Sequence, residues 1–230
     1  MALFIVGSCK ASPYDPDSAF DPVTHIATES AFIQLLQHGV YDSKYIGYKV
    51  QLGNSVDYNN GLWVIADVGH HADQPNTYDL IPQDAFYNTT FDDSSPYQYW
   101  RDSTPRLWLN STFYNGFNEN FKFHMNNITY DSNGSTYNDD KIILPSFTEV
   151  NGTTGTSDTT YVTEGTAYPI FTDNNSRKKY QTGTTSYVRW WTRSRHTGYS
   201  SSVWGVNTDG SMGYRASNVN CYLAPLMRVH

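Results

Sequence analysis

Apolar positions along this chain recur at short range, with one clearly helical exception. Ala31, Phe32, Leu35 and Leu36 stand at i, i+1, i+4 and i+5, so they share one face of a helix. Thr28 or Ser30 can cap its start, and Gly39 ends it at the C′ position. A second, shorter helix is expected over residues 104–115, where Pro105 sits in the first turn and Leu107, Trp108 and Phe113 are apolar. Elsewhere the pattern is one of short strands and loops. Residues 61–67 read as a buried strand after an Asn-Asn-Gly turn, and Lys141-Ile142-Ile143-Leu144-Pro145 reads as another. The Gly/Thr/Ser-rich stretch 151–166 reads as a loop or a sheet-edge excursion. No period of 20–50 residues repeats, which excludes solenoids and propellers. The pattern predicts an α+β fold with few helices, short strands and long loops.

Residues 1–26 read as an extended N-terminal arm, and residues 27–230 as one domain. Pro13, Pro16 and Pro22 interrupt any helix in the arm, and its apolar residues 3–6 would be poorly placed in water. The arm is expected to dock on its own domain or on a neighbouring subunit, or else to add an N-terminal strand to the domain's sheet. Docking between copies makes a homo-oligomer the expectation.

Composition narrows the classes. Charged residues make up 16% of the chain, and the polarity comes instead from 19 Asn, 22 Ser, 24 Thr and 19 Tyr. A disordered chain would be poor in aromatics, and this one is 16% aromatic. The longest apolar run, residues 2–6, is far shorter than a membrane span, so no membrane insertion is expected. A net charge of -7 argues against a nucleic-acid partner. Cys9 and Cys221 could form one bridge, but two cysteines do not make a disulfide framework.

Chemical motifs are sparse. In Gly69-His70-His71-Ala72-Asp73 the adjacent histidines point to opposite faces of a strand, and no second ligand pair has metal spacing; a polar turn is expected, with no metal and no cofactor. Gln74-Pro75-Asn76 matches a calcium- and sugar-binding tripeptide of animal C-type lectins, but the Trp-Asn-Asp sequence that should follow is absent. There is no Gly-x-Ser-x-Gly elbow, phosphate loop or dinucleotide fingerprint. Asp92-Asp93 and Asp139-Asp140 are the densest acids and read as solvated loop positions. No catalytic residue is assigned, and the chain does not read as an enzyme.

Residues 186–230 differ from the rest. They hold five arginines against one acid, Asp209, and three of the six tryptophans. Between Arg195 and Tyr222 there is no Lys, Glu or Gln. Tyr gives rigid amphipathic contact area, and Ser, Gly and Asn give adaptable hydrogen bonds, the recipe of antibody paratopes. Aromatic contact is expected from Tyr199, Trp204, Tyr214 and Tyr222, and hydrogen bonding from Ser200, Ser201, Asn207, Asn218 and Asn220. Arg195 and Arg215 are expected to pair with acidic groups, and His196 completes the ligand-binding set.

Several phrases line up with a known family. Trp100-Arg101-Asp102-Ser103-Thr104-Pro105-Arg106-Leu107-Trp108-Leu109-Asn110 resembles its Trp-x-x-Ser-x-hydrophobic-Arg-x-Trp-Leu-Asn helix motif, followed by Phe113 and Phe117. The run 141–150 resembles its Leu-x-Ser-x-x-Glu-Val strand, and Trp190-Trp191-Thr192-Arg193-Ser194 its Trp-Trp-Leu-Arg-Ser motif. Val206-Asn207-Thr208-Asp209-Gly210-Ser211 is similar to its Val-x-x-Asp-Gly hairpin. The family is the C-type-lectin-like domain of bacterial and phage proteins, whose relatives include the variable proteins of diversity-generating retroelements, phage tropism determinants among them. The match, with Gly61-Leu62-Trp63, covers most of the chain from about residue 40. One departure is Leu223-Ala224-Pro225-Leu226, where the family usually has Val-Arg-Pro-Ala.

The resemblance implies a C-type-lectin-like fold whose C-terminal strands and loops, about residues 186–230, display a ligand-binding face. Adenine-directed mutation in retroelement targets cannot yield Lys, Glu, Gln, Met or Trp, so Trp204 and Met212 would be fixed scaffold positions. Trp190, Trp191 and Arg193 are likewise assigned to the scaffold. Formylglycine-generating enzymes share the fold but need a cysteine-based copper site, which Cys221 alone does not make. The expectation is a phage or prophage receptor-binding (host-adhesion) protein on the virion, at a tail fibre, baseplate or capsid surface, or else on a bacterial cell surface. Its partners would be a host cell-surface protein or glycan and other virion proteins. A decoration or connector subunit of the virion is the alternative, and would bury the run 195–222 between subunits.

Overall fold

The structure is a computed structural model that describes residues 14–58, 61–92, 99–132, 134–152 and 163–230. Two mixed sheets and a few short helices enclose one core. The first sheet has the order β1 (Ile26–Thr28), β2 (Lys49–Leu52), β3 (Gly61–Val68), β4 (Tyr78–Pro82), β15 (Leu226–Val229) and β8 (Ile142–Ile143). The second runs β13 (Met212–Ala216), β12 (Ser202–Val206), β11 (Trp190–Arg195), β14 (Cys221–Leu223) and β5 (Phe86–Thr89). Two small ribbons complete the β structure, β6 (Ile128–Ser132) with β7 (Ser135–Asp140) and β9 (Lys179–Tyr180) with β10 (Tyr187–Val188). The α+β class with little helix is thus the observed one.

The first helix forms as its spacing predicts. α1 (Glu29–Gln37) is capped by Thr28, whose side chain accepts the Ala31 N–H, and it buries Phe32, Leu35 and Leu36. Gly39, at φ 65°, supplies the left-handed residue that ends it. Of the arm, residues 1–13 lie outside the described residues. Beyond them, Tyr14 stacks on His38 at 3.9 Å, Phe20 is buried against Tyr45, and the Tyr45 hydroxyl donates to Asp17 at 2.6 Å. β1 then joins the first sheet parallel to β2.

α2 (Thr104–Trp108) begins where the sequence places it, capped by Ser103 with Pro105 in its first turn, and continues through a π-helical stretch, Leu109–Phe113. That widened turn presents Asn110 to the open edge of β8. Its Oδ1 accepts the N–H groups of Lys141 and Ile142 at 2.8 and 3.0 Å, and its Nδ2 donates to the Ile142 carbonyl at 2.7 Å. One side chain thus stands in for a neighbouring strand and closes an edge that would otherwise expose unpaired backbone. Asn110→Ala is expected to lower stability by about 2 kcal/mol, read as a shift in the urea midpoint at constant slope.

Three expectations are corrected. The strand expected over 141–145 is only the two residues of β8, and the Leu-x-Ser-x-x-Glu-Val phrase turns into α4 (Phe147–Asn151). Ser146 and Glu149 form a reciprocal capping box there, which favours a helix start over a continued strand. Asp140 is no solvated loop residue either. It lies in β7, 1% exposed, and accepts from Trp100 Nε1 at 3.0 Å, the Tyr130 hydroxyl at 2.6 Å and Arg106 Nε at 2.9 Å. Three donors that need an acceptor in the core converge on one carboxylate, so burial is offset by bonding. Asp92 is also buried, while Asp93 lies outside the described residues. Cys221 carries a free, buried thiol, and Cys9 lies outside the described residues.

Candidate functional site

The β11–β12–β13 meander carries the run 195–222, and strand alternation sorts its side chains. Trp204 pairs directly with Tyr214, and Val203 with Arg215, so Tyr214 and Arg215 emerge on opposite faces of the sheet. Arg195 pairs with Val203 and belongs with Arg215. The expected ligand set is therefore not one surface. A one-residue offset along a strand changes the face, and composition does not carry register.

One face is aromatic. His196 follows β11 with its ring 3% exposed, stacked on Trp204 at 5.3 Å and meeting Tyr214 edge-on at 4.4 Å. Its Nδ1 accepts the backbone N–H groups of Gly198 and Tyr199 at 3.0 and 3.1 Å, so this nitrogen carries no proton and the ring fixes the turn. Ser202 N–H closes the same turn on the Tyr199 carbonyl. Tyr199 then lies over Tyr214, centroids 5.2 Å apart and planes 28° apart, and both remain open to solvent at 55% and 39%. Trp204 is 5% exposed and rests on Phe147 of α4 at 4.8 Å. Trp204 and His196 are thus a buried support for two exposed tyrosines, which corrects their assignment as contact residues. Ser200 and Ser201 are exposed on the same connection.

The opposite face is polar. Arg215 donates to Asn207 Oδ1 at 3.0 Å and to the Tyr214 carbonyl at 2.7 Å, and Asn207 Nδ2 donates to Ser211 Oγ. Gly213 makes room for this pair, since a Cβ there would meet Asn207 Nδ2 at 2.6 Å. The hairpin turn is closed by Gly210 at φ 84°, as the Asp-Gly phrase implies. Arg195 is half-buried with its guanidinium 5.4 Å over the Tyr99 ring, so it too is not simply presented to solvent. The segment 217–220 leads from β13 back to β14, exposing Asn218 and Asn220, and Ser217 N–H ties it to the Ser201 carbonyl. Asn220 and half-buried Tyr222 line a shallow depression of about 260 Å³ with Arg189 and Thr208. Beneath it, burial pushes the Cys221 thiol up to about 11 against the pull of Arg189 and Arg215, leaving it unreactive at neutral pH.

The support beneath the aromatic face is ionic and buried. Arg193 of β11 forms a bidentate pair with Glu149 of α4 at 2.6 and 2.7 Å and also donates to the Leu144 and Asp131 carbonyls. Burial opposes its charge, but Glu149 more than restores it and holds the guanidinium above the usual arginine range. Ser194, the next residue, donates to Glu164 at 2.7 Å and accepts the Phe147 N–H. A second pair does the same in the first sheet. Arg228 grips Asp79 at 2.6 and 2.8 Å, and the Tyr168 hydroxyl donates to the same carboxylate. Arg228 Nη1 also donates to Gln74, giving the Gln74-Pro75-Asn76 phrase a structural role. This pair supplies the last strand with its polar partner although residue 224 is Ala. No sequence spacing announces either pair, since the partners lie 44 and 149 residues apart.

His70 pairs with Asp67 at 2.7 Å and stacks on Tyr168 at 3.8 Å. Among the described residues, no group of three or more His, Cys, Asp or Glu could hold a metal ion, and no helix is long and apolar enough to cross a membrane.

The family described as Domain of unknown function (DUF6273) matches residues 76–230, well over half of the chain. The chain belongs to this family. The match spans both faces of the meander, both buried ion pairs and β4 through β15. β1 to β3, which precede it in sequence, are bonded into the same sheet as β4. No curated protein and no solved structure matches the chain.

Proposed function

We propose that this DUF6273 chain has a C-type-lectin-like fold and acts as a receptor-binding, host-adhesion protein of a phage or prophage virion. The observation that carries the reading is the Tyr199–Tyr214 pair: two exposed, offset-stacked rings held on a buried floor of His196, Trp204 and Phe147. Rigid exposed tyrosines lose little side-chain entropy on binding and offer amphipathic contact area to a host protein or glycan. The meander places the Trp-Trp-Thr-Arg-Ser phrase in a buried central strand and the Asp-Gly phrase at a hairpin turn, which agrees with the scaffold roles the resemblance implies. Binding is non-covalent, and repeated copies on a particle would supply avidity.

Purified protein is expected to bind a subset of bacterial strains in a cell-binding assay. Tyr199→Ala/Tyr214→Ala should weaken that binding at least about tenfold with little change in thermal midpoint, because both side chains are exposed. Arg215→Ala, on the other face, should change it by less than about threefold. Equal binding by the tyrosine variant would reject the aromatic face as the contact surface. A wild-type protein that bound no strain in a broad panel would shift the reading to a decoration or connector subunit.

A further inference from the structure

A second site lies away from the meander and is independent of the adhesion reading. Val64 and Ile81, cross-strand neighbours on β3 and β4, form one wall of a cleft of about 470 Å³, and Pro169 and Phe171 help form the other. That volume is within the range of small-molecule sites. Lys179 also lines the cleft, and its side chain is buried, with the residue 5% exposed. Its Nζ donates to the carbonyls of Pro82 and Gln83. Among the described residues no carboxylate lies within ion-pair distance of it, and Asp84 attracts it only at longer range. Lys178, the preceding residue, also lines the cleft, and its ammonium donates to Asn175 and lies over the Tyr187 ring.

Two carbonyl acceptors satisfy both N–H groups of a neutral amine, whereas an ammonium would keep a third N–H without a partner. Burial accordingly draws the Lys179 pKa down to about 7, with Asp84 opposing. Gln83 lines the same cleft, and its Oε1 is enclosed without a hydrogen-bond partner. A buried amine of lowered pKa lining a cleft with apolar walls is the equipment of a carbonyl-capturing lysine.

We propose that this cleft is a small-molecule site in which Lys179 Nζ condenses with the carbonyl carbon of an apolar aldehyde or ketone to form an imine. The amine lone pair forms the N–C bond, and one N–H proton of the amine passes to the carbonyl oxygen to give a carbinolamine. Loss of that hydroxyl together with the remaining nitrogen proton, as water, leaves the C=N bond, and water reverses the step. No oxidant or metal is needed.

The test uses the whole chain with benzaldehyde and sodium cyanoborohydride, followed by peptide mapping by mass spectrometry. At pH 7 the Lys179 adduct should exceed that on any of the other six lysines more than about tenfold. Its labelling rate should rise with a midpoint near pH 7, while surface lysines rise toward pH 10. Ile170→Trp narrows the cleft and should suppress the Lys179 adduct alone; Thr172→Trp, at an exposed position on the same wall, serves if that variant does not fold. Labelling spread evenly over the lysines, an unlabelled Lys179, or a Lys179 adduct indifferent to the cleft-narrowing variant would each overturn the proposal.

Discussion

Arg193→Met is expected to cost about 3–5 kcal/mol of stability. The reason is what it leaves behind. Glu149 is 1% exposed, and without the guanidinium its carboxylate would sit charged in the core beside Glu164. The Leu144 and Asp131 carbonyls would lose their donor in the same step. Glu149→Gln/Arg193→Met should recover much of the loss, because it removes the stranded charge while a glutamine oxygen can still accept the Ser146 N–H of the capping box. Urea denaturation of the wild type, the single variant and the double variant decides the point. A single variant within about 1 kcal/mol of wild type would mean that water reaches Glu149.

The second large effect depends on pH. Because Lys179 is held near 7 in the folded chain and stands near 10.4 when unfolded, the unfolded state binds more protons between those values. Stability from this group therefore rises with pH above about 7 and is constant below it. Lys179→Met abolishes the group, so the stability of wild type relative to this variant should improve by about 2 kcal/mol between pH 7 and pH 9. Taking the difference cancels Cys221 and the tyrosines, which titrate in both proteins alike. A difference flat across that window would place the amine in contact with water.

Some of this structure is legible in the sequence, and the reasons are local. α1 is legible because cap, periodicity and terminating glycine all act within a dozen residues. The π-extended helix after Ser103 is legible in extent, though nothing in residues 104–115 indicates that Asn110 serves as a substitute strand. α4 carries its own signal in Ser146-x-x-Glu149, and the strand expectation follows from the apolar Ile142-Ile143-Leu144 just before it. Asp140 is opaque, since an acid beside another acid looks solvated until Trp100, Tyr130 and Arg106 are brought to it by folding. Composition marks out the binding run, but its division between Tyr214 and Arg215 follows from residues 212–216 forming a strand, whose neighbours alternate faces, and composition does not encode that.

The place of β15 has a consequence for biosynthesis. This strand, Leu226–Val229, lies between β4 and β8 and brings Arg228 to Asp79 across 149 residues. The first sheet therefore cannot close until residues 226–229 have left the ribosome. Until then β4 waits with an unpaired edge and Asp79 without its cation. The first sheet gains little from folding before that point, and its slow step should be the capture of β15 across a separation of 149 residues. Nascent chains arrested before residue 226 should remain open to protease at the β4 edge, and a chaperone that shields that edge should raise the yield of folded protein.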